Sequence, residues 1–265
     1  MQSLTQALRR NAASGEPIMS PVQAFNENGV HFRKGQLSMI VAGPGSGKSY
    51  LIQAILHHGD RGRAVNSCLY FSADTGPDVI YKRAACLATG YTSSAVEDMM
   101  ANHNTESIDQ AIHQTESHIT WNFTPNPSEQ YVIDELKAYE GTYGHFPEVI
   151  VMDNLKDLYI EGMEADEFRS LEEACIFLKN LAKLTGSAVL ALHHAGGAFE
   201  DGTAIIPLSG VRGKVSKTPA VILTLARSGS DMKASVVKNR NGRADQSGKW
   251  WLPIHADLER GKFEG

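Results

Sequence analysis

The sequence predicts an α/β domain: a mostly parallel sheet with helices on both faces and an antiparallel C-terminal extension. Three observations support this. A glycine-rich loop lies between an apolar run and a helical pattern; four further apolar runs alternate with helical segments; and beyond residue 210 helices give way to strand-like runs joined by tight turns. Continuously apolar strands separated by helices belong to sheets buried on both sides, the usual setting of parallel pairing.

The first apolar strand is Leu37–Val41, followed by Ala42-Gly43-Pro44-Gly45-Ser46-Gly47-Lys48-Ser49 and a helical pattern over Tyr50–His58. Strand, phosphate-binding loop and helix is the context this motif requires. Glycines at 43, 45 and 47 allow backbone angles that turn consecutive N–H groups toward phosphate oxygens. Lys48 is placed to reach the β- and γ-phosphates and Ser49 to ligate Mg²⁺, while the helix offers its positive end to the anion. Pro44, Ser46 and Tyr50 complete the stretch expected to line the nucleotide. Ala42 departs from the strict pattern, which begins with glycine; a small side chain suffices there.

Next, Cys68–Ala73 reads as a buried strand ending at Asp74, and Pro77 opens a helix to about Thr89 with Val79, Ile80, Ala84 and Leu87 on a helical period. Polar helical segments fill 93–117, His118–Phe123 is a strand, and Asn126–Tyr139 a helix with Ile133 and Leu136 inward. Glu148–Asp153 is the next buried strand; an acidic connection, a helix over Glu167–Thr185 and a strand over Ser187–His193 follow. Ala220–Ala226, Lys233–Lys238 and Lys249–Pro253 form the antiparallel extension, joined by Ser-Gly-Ser and Asn-Gly-Arg turns.

Carboxylates at strand ends carry the chemistry. Asp153 stands at the C-terminal end of its strand, where α/β sheets present ligands, and can hold magnesium opposite the loop serine; the plain alternative is a strand-end cap. Asp74 ends a strand read as its neighbour and can accept a proton from water attacking the γ-phosphate, or simply open a turn. His193 and His194 are adjacent on a strand, point to opposite faces and are poorly arranged to chelate one ion; His194 is expected to face the γ-phosphate as a sensor.

The chain has 265 residues and a net charge of −5, which argues against a generic nucleic-acid coat. Ser209–Lys249, however, holds nine basic residues against two acidic ones, leaving that segment at +7 and the remainder at −12. Such a cluster fits a polyanion-binding face, a subunit contact or solvation equally. No apolar run reaches the roughly 18 residues of a membrane span, and Met1–Asn11 has no signal-like core, so a cytoplasmic protein is expected. Cys68, Cys86 and Cys175 are scattered and suit reduced core thiols. Residues 1–16 are read as an N-terminal arm whose Leu4, Ala7 and Leu8 either fold back or dock on a neighbouring subunit, and 17–265 as one domain.

Taken in order, these motifs resemble those of the RecA-like ATPases, and most closely the ring-forming replicative helicases of the DnaB and phage primase-helicase type, over about residues 25–262. Leu69–Asp74 resembles the segment ending in the catalytic glutamate, which assigns that position to Asp74, a shorter acid. Val149–Asp153 resembles the second magnesium motif, and Leu192–Ala195 the sensor segment, with His194 at its Gln or His position. Leu208–Gly213 resembles the stretch after the central DNA-binding loop, and Lys238–Gly242 the element that reaches a neighbour's nucleotide.

The resemblance implies a RecA fold, ATP and Mg²⁺ as cofactors, and a homo-oligomeric ring, a hexamer, around single-stranded DNA. It makes Arg240 an arginine finger acting in trans beside Lys238, and turns the loop over 196–217, with Arg212, Lys214 and Lys217, toward the channel. The implied activity is ATP-dependent helicase or translocase action in replication or recombination. A RecA-like recombinase or mediator and a helicase-loading or regulatory ATPase are the alternatives. A nuclease would need a second metal site, for which the irregular run Asp157, Glu161, Glu164, Asp166, Glu167 is a poor match.

Overall fold

A computed structural model describes residues 15–57, 66–163 and 165–265. The arm expected over residues 1–16 therefore falls almost wholly outside the described residues, as do His58 and Glu164.

A small antiparallel ribbon of β1 (Pro17–Ile18) and β2 (Phe32–Arg33), with α1 (Gln23–Glu27) between them, precedes the main sheet. The sheet itself has nine strands among the described residues. In chain order they are β3 (Leu37–Ala42), β4 (Cys68–Ser72), β5 (Ile119–Asn122), β6 (Val149–Asp153), β7 (Ala188–His194), β8 (Val221–Ser228), β9 (Asp231–Asn239), β10 (Trp251–Asp257) and β11 (Lys262–Glu264). Across the sheet they run β11-β10-β9-β8-β3-β7-β6-β4-β5, with β3 to β8 parallel and β9 to β11 antiparallel.

Alternation along the strands builds two cores. Ile40 and Ala42, Tyr70, Val149 and Val151, and Leu190 and Leu192 meet α2 (Lys48–His57), α3 (Pro77–Thr89), α4 (Ser93–Ala101) and α5 (Glu106–Glu116). The intervening residues Met39 and Val41, Leu69 and Phe71, Ile150 and Met152, and Val189 and Ala191 meet α6 (Glu129–Tyr143) and α7 (Glu167–Thr185). The parallel sheet is thus covered on both faces as its apolar strands require. Cys68, Cys86 and Cys175 are all free and buried, and among the described residues no helix is long and apolar enough to cross a membrane.

Boundaries differ from the sequence reading where capping overrides hydrophobic period. The helix expected over Asn126–Tyr139 begins at Glu129, because the Ser128 hydroxyl accepts from the Tyr131 N–H, and runs on to Tyr143, where Gly144 turns left-handed. The helix over Glu167–Thr185 ends as expected, capped by Asp166 and Gly186. The β8–β9 ribbon extends past its expected ends to a Gly229-Ser230 turn; Arg227, Ser228 and Asp231 pair there although their polarity reads as loop. The third hairpin strand is shifted to Trp251–Asp257, and the strands of two and three residues are too short to carry a period.

Leu178 lies wholly inside the α7 core, whereas Leu184 on the same helix is 82% exposed. Leu178→Ala is expected to cost about 2–5 kcal/mol in urea unfolding. Leu184→Ala should cost little, and equal shifts would contradict this packing.

Candidate functional site

The phosphate loop leaves the C-terminal end of β3, the strand between β7 and β8. Its backbone is left-handed at Gly45 and Gly47, with φ of 71° and 91°, as a loop wrapped around an anion needs. The Ser46 hydroxyl donates to the Gly43 carbonyl at 2.8 Å, and α2 starts at Lys48. Gly43 is indispensable for a different reason: a Cβ there would lie 2.6 Å from the Glu200 carbonyl oxygen and 2.7 Å from the Gly202 Cα. The loop after β7 is therefore laid directly against the phosphate loop, and a Cβ on Gly202 would strike the Ser46 hydroxyl.

Strand parity decides which side chains join it. Asp153 continues the series Val149, Val151, and His194 the series Leu190, Leu192, so both face the side of the sheet that carries α2. Asp153 is 1% exposed; one carboxylate oxygen accepts from the Tyr70 hydroxyl at 3.0 Å, and the other, Oδ1, is buried without a partner. Burial pushes its pKa up against the opposing pull of the Ser49 hydroxyl and the Lys48 ammonium. Burial likewise pushes the Lys48 ammonium down, against the attraction of Asp153 and Asp74.

Asp74 lies just beyond β4, next to β6 in the sheet. Its carboxylate is exposed and accepts from the Asn154 side-chain amide at 2.7 Å. His194 is half-buried; burial and the nearby Lys48 and Lys156 charges lower its pKa to about 4, so the ring is neutral at physiological pH. Its Nδ1 also lacks a partner. His193 sits on the other face, its Nε2 3.2 Å from the Arg212 carbonyl oxygen, and burial takes its pKa to about 4 as well. Among the described residues no three His, Cys, Asp or Glu side chains cluster as metal ligands. A cavity of about 210 Å³ opens between Pro44, Lys156, His194, Glu200 and Arg212.

Ser49 and Asp153 offer only hard oxygen donors, and the orphaned Oδ1 is placed to accept from a water on a cation. This suits Mg²⁺, which keeps several waters and draws its remaining ligands from substrate phosphates. The Tyr50 side chain is buried in the α2 core with its hydroxyl toward the Arg83 carbonyl and supports the helix from below, which leaves only its backbone on the side of the loop.

Two contacts had no role in the sequence reading. Arg227 donates through Nη2 to the Gly45 carbonyl at 3.2 Å, while its backbone N–H holds the Gly202 carbonyl at 2.8 Å. Asn154 is fully buried and grips Asp74. Position alone could have flagged Asn154, which follows Asp153 at the strand tip; nothing local marks Arg227.

The expected finger residues lie elsewhere. Asn239 pairs with Val221, which pairs in turn with Ser38 near the start of β3, and the Asn241 amide reaches Gln36. Arg240 is thus at the opposite end of β3 from the loop, a strand length of roughly 20 Å away. Its guanidinium donates to the carbonyls of Lys217 and Thr218, and Lys238 donates to those of Ser216 and Lys217. Burial and the Arg240 charge lower the Lys238 pKa to about 8. Arg212–Lys217 forms a short 3₁₀ helix against α7; Arg212 is paired with Glu167 at 2.9 Å at its upper end and Lys217 is exposed at its lower end. The Lys214 side chain is outside the described residues.

The AAA domain family matches residues 19–198, which include the phosphate loop, Asp74, Asp153 and His194. The chain belongs to this AAA domain family. It is 34% identical over 255 residues to the gene 65 protein of Mycobacterium phage L5, spanning 94% of this chain and 93% of that one. Against the gene 65 protein of Mycobacterium phage D29 it is 34% identical over 218 residues, spanning 79% and 90%. Among solved structures, a DnaB-like replicative helicase, described with its interactions with primase, superposes with a TM-score of 0.81 at 15% identity, covering 100% of this chain and 67% of that one. A second solved structure, itself an ATPase domain, gives 0.81 at 14% identity and covers 100% and 99%. This AAA domain therefore has the RecA-like fold of DnaB-type helicase ATPase domains. Arg212 to Arg240 lie beyond the residues that the family model matches.

Two outcomes follow from this geometry. Gly43→Ala is expected to destabilise the fold by about 1–3 kcal/mol through overpacking and to abolish nucleotide binding, measured by fluorescent-nucleotide titration; unchanged binding would contradict the contact with Gly202. Because the His194 ring is neutral, His194→Gln should retain most ATP turnover and His194→Ala should not.

Proposed function

We propose that this chain is a ring-forming translocase of the helicase type, which hydrolyses Mg²⁺-ATP while moving along single-stranded DNA in a phage replication or recombination setting. The observation that carries the reading is the separation between the phosphate loop and Arg240 within one chain. Its own site holds Lys48, Ser49, Asp74, Asp153, Lys156 and His194, and among the described residues no arginine finger of its own projects from the β9 turn toward it. Arg227 is committed to the Gly45 carbonyl, and Arg83 lies over the Tyr50 ring beneath α2. Lys48 and Lys156 are the site's own cations, and Arg240, on an exposed turn far from its own loop, is suited to supply a further one to a neighbour's transferred phosphoryl group.

In this reading Lys48 neutralises the β- and γ-phosphates, Ser49 and Asp153 hold Mg²⁺, Asp74 accepts the proton of the attacking water, and neutral His194 reads the γ-phosphate by hydrogen bonding. Magnesium supplies charge neutralisation across the phosphates. Arg240 and Lys238 grip the carbonyl end of the segment that holds Arg212, Lys214 and Lys217. Finger and DNA-contacting segment would then move together, linking hydrolysis at one interface to displacement of the strand. The fold likeness to the replicative helicase described with primase supports a replication setting.

The test is an ATPase and fork-unwinding assay with and without single-stranded DNA, alongside the mass of the assembly in solution. Lys48→Ala should abolish turnover. Arg240→Ala should bind nucleotide but not hydrolyse it, and mixing the two variants should restore activity at mixed interfaces; no rescue from assembled mixtures would overturn action in trans. Lys217→Ala should weaken single-stranded DNA binding without regard to sequence and lower the salt slope by about one. An open filament on DNA in place of a ring would favour a recombinase.

A further inference from the structure

Asn154 is the most deeply buried polar residue at the site, with no exposed surface, and its two amide atoms have different fates. Nδ2 donates to Asp74 Oδ2 at 2.7 Å, whereas Oδ1 is buried without a partner. The amide orientation follows from chemistry: reversed, its oxygen would face a carboxylate, acceptor against acceptor. The backbone is fixed as well. The Asn154 N–H donates to Asp157 Oδ2 at 3.2 Å and its carbonyl accepts from the Asp157 N–H at 3.1 Å, closing the turn Leu155–Asp157. One residue earlier, the Ala73 N–H donates to the Asp153 carbonyl at 2.9 Å, tying the exit of β4 to the exit of β6. The Ser72 hydroxyl, bonded to the Thr75 carbonyl at 2.8 Å, closes the turn that carries Asp74.

We infer that Asn154 is a positioning residue for hydrolysis: its amide N–H occupies one oxygen of Asp74 and leaves the other, in a fixed place, to accept from the attacking water. The inference rests on the reading of Asp74 as proton acceptor. An exposed aspartate rotates freely and presents either oxygen; one oxygen held by a buried, immobile donor leaves a single acceptor in a fixed place, as an aligned attack needs. In the step so arranged, the water oxygen forms a bond to the γ-phosphorus while the bond to the β,γ-bridging oxygen breaks, its electron pair staying on ADP. The water proton passes to the free oxygen of Asp74.

A double-mutant cycle on the full-length chain, under single-turnover conditions with saturating Mg²⁺-ATP and single-stranded DNA, tests this. Asn154→Leu, close in size, should slow hydrolysis about tenfold to a hundredfold while affinity for a non-hydrolysable ATP analogue stays within about threefold. In an Asp74→Asn background the same substitution should cost no more than about twofold, because the group it positions is gone. Equal losses in both backgrounds, which a merely structural role predicts, or an unchanged rate for Asn154→Leu, would overturn the inference. Should Asn154→Leu not fold, Asn154→Ser, too short to reach Asp74, carries the same expectations. If Asp74→Asn alone hydrolyses at the wild-type rate, the reading of Asp74 fails and the inference with it; if Asp74→Asn is inactive and Asn154→Leu is not, only the inference fails.

Discussion

Everything at the site depends on the register of four parallel strands. Ala42 stands opposite His194, Leu192 opposite Asp153, and Asp153 opposite Ser72, so the phosphate loop and His194 leave the sheet together, with the Asp153 carboxylate and the approach to Asp74 two residues below them. A slip of one residue in any pair would turn its tip side chain to the other face. The register is held by apolar interiors on both faces, where Ile40, Val151 and Leu190 pack against one helical layer while Met39, Ile150 and Val189 pack against the other. The tips are placed accurately because the packing beneath them is two-sided.

That rigidity lets the site keep charges in an unfavourable state. Lys48 and Asp153 are both buried, and burial drives both toward neutrality, the cation down and the acid up. Two opposite charges left this short of compensation are a destabilising arrangement in isolation. In the proposed reading, polyphosphate and a divalent cation would supply what each lacks: anionic oxygens for Lys48 and a cation-bound water for Asp153 Oδ1. His194, which lines the adjoining cavity, likewise has a partnerless Nδ1. An arrangement of this kind persists on a scaffold whose strands cannot relax, and on the proposed reading binding would relieve it.

Much of this was legible in the sequence, for a physical reason. Fully buried parallel strands need unbroken apolar runs, and each run here ends where its chemistry begins: Ala42 before the glycines, Ala73 before Asp74, Asp153 itself, His194. The helix over Glu167–Thr185 was legible end to end because Asp166 and Gly186 cap it. The rest was not, because it depends on contacts between distant segments. Arg227 and Gly45 are 182 residues apart, and the close approach of Gly202 to Gly43 has no local signature beyond small residues that many turns share. The family resemblance turned Arg212 and Lys217 alike toward a channel; only the structure shows that they occupy opposite ends of a short helix, with Arg212 held by Glu167.

These distant contacts connect the two ends of the sheet. At the top, the segment after β7 is pressed on the phosphate loop through Gly202, and Arg227 fastens both that segment and Gly45 to the end of β8. At the bottom, Lys238 and Arg240 fasten the end of β9 to the carbonyls of Ser216, Lys217 and Thr218, where the same long segment returns to the sheet. The stretch from Ala195 to Thr218 is therefore tethered to the chain's own nucleotide loop at one end and to the turn bearing Arg240 at the other. The β8–β9 ribbon, whose register shifts between Ile222 and Leu223, spans the two tethers and gives a covalent and hydrogen-bonded path from the phosphate loop to its far end. If that far end touches a neighbour's nucleotide, the state of one site reaches the next through a path made of named hydrogen bonds. The length of the parallel strands sets the distance such a signal must cross.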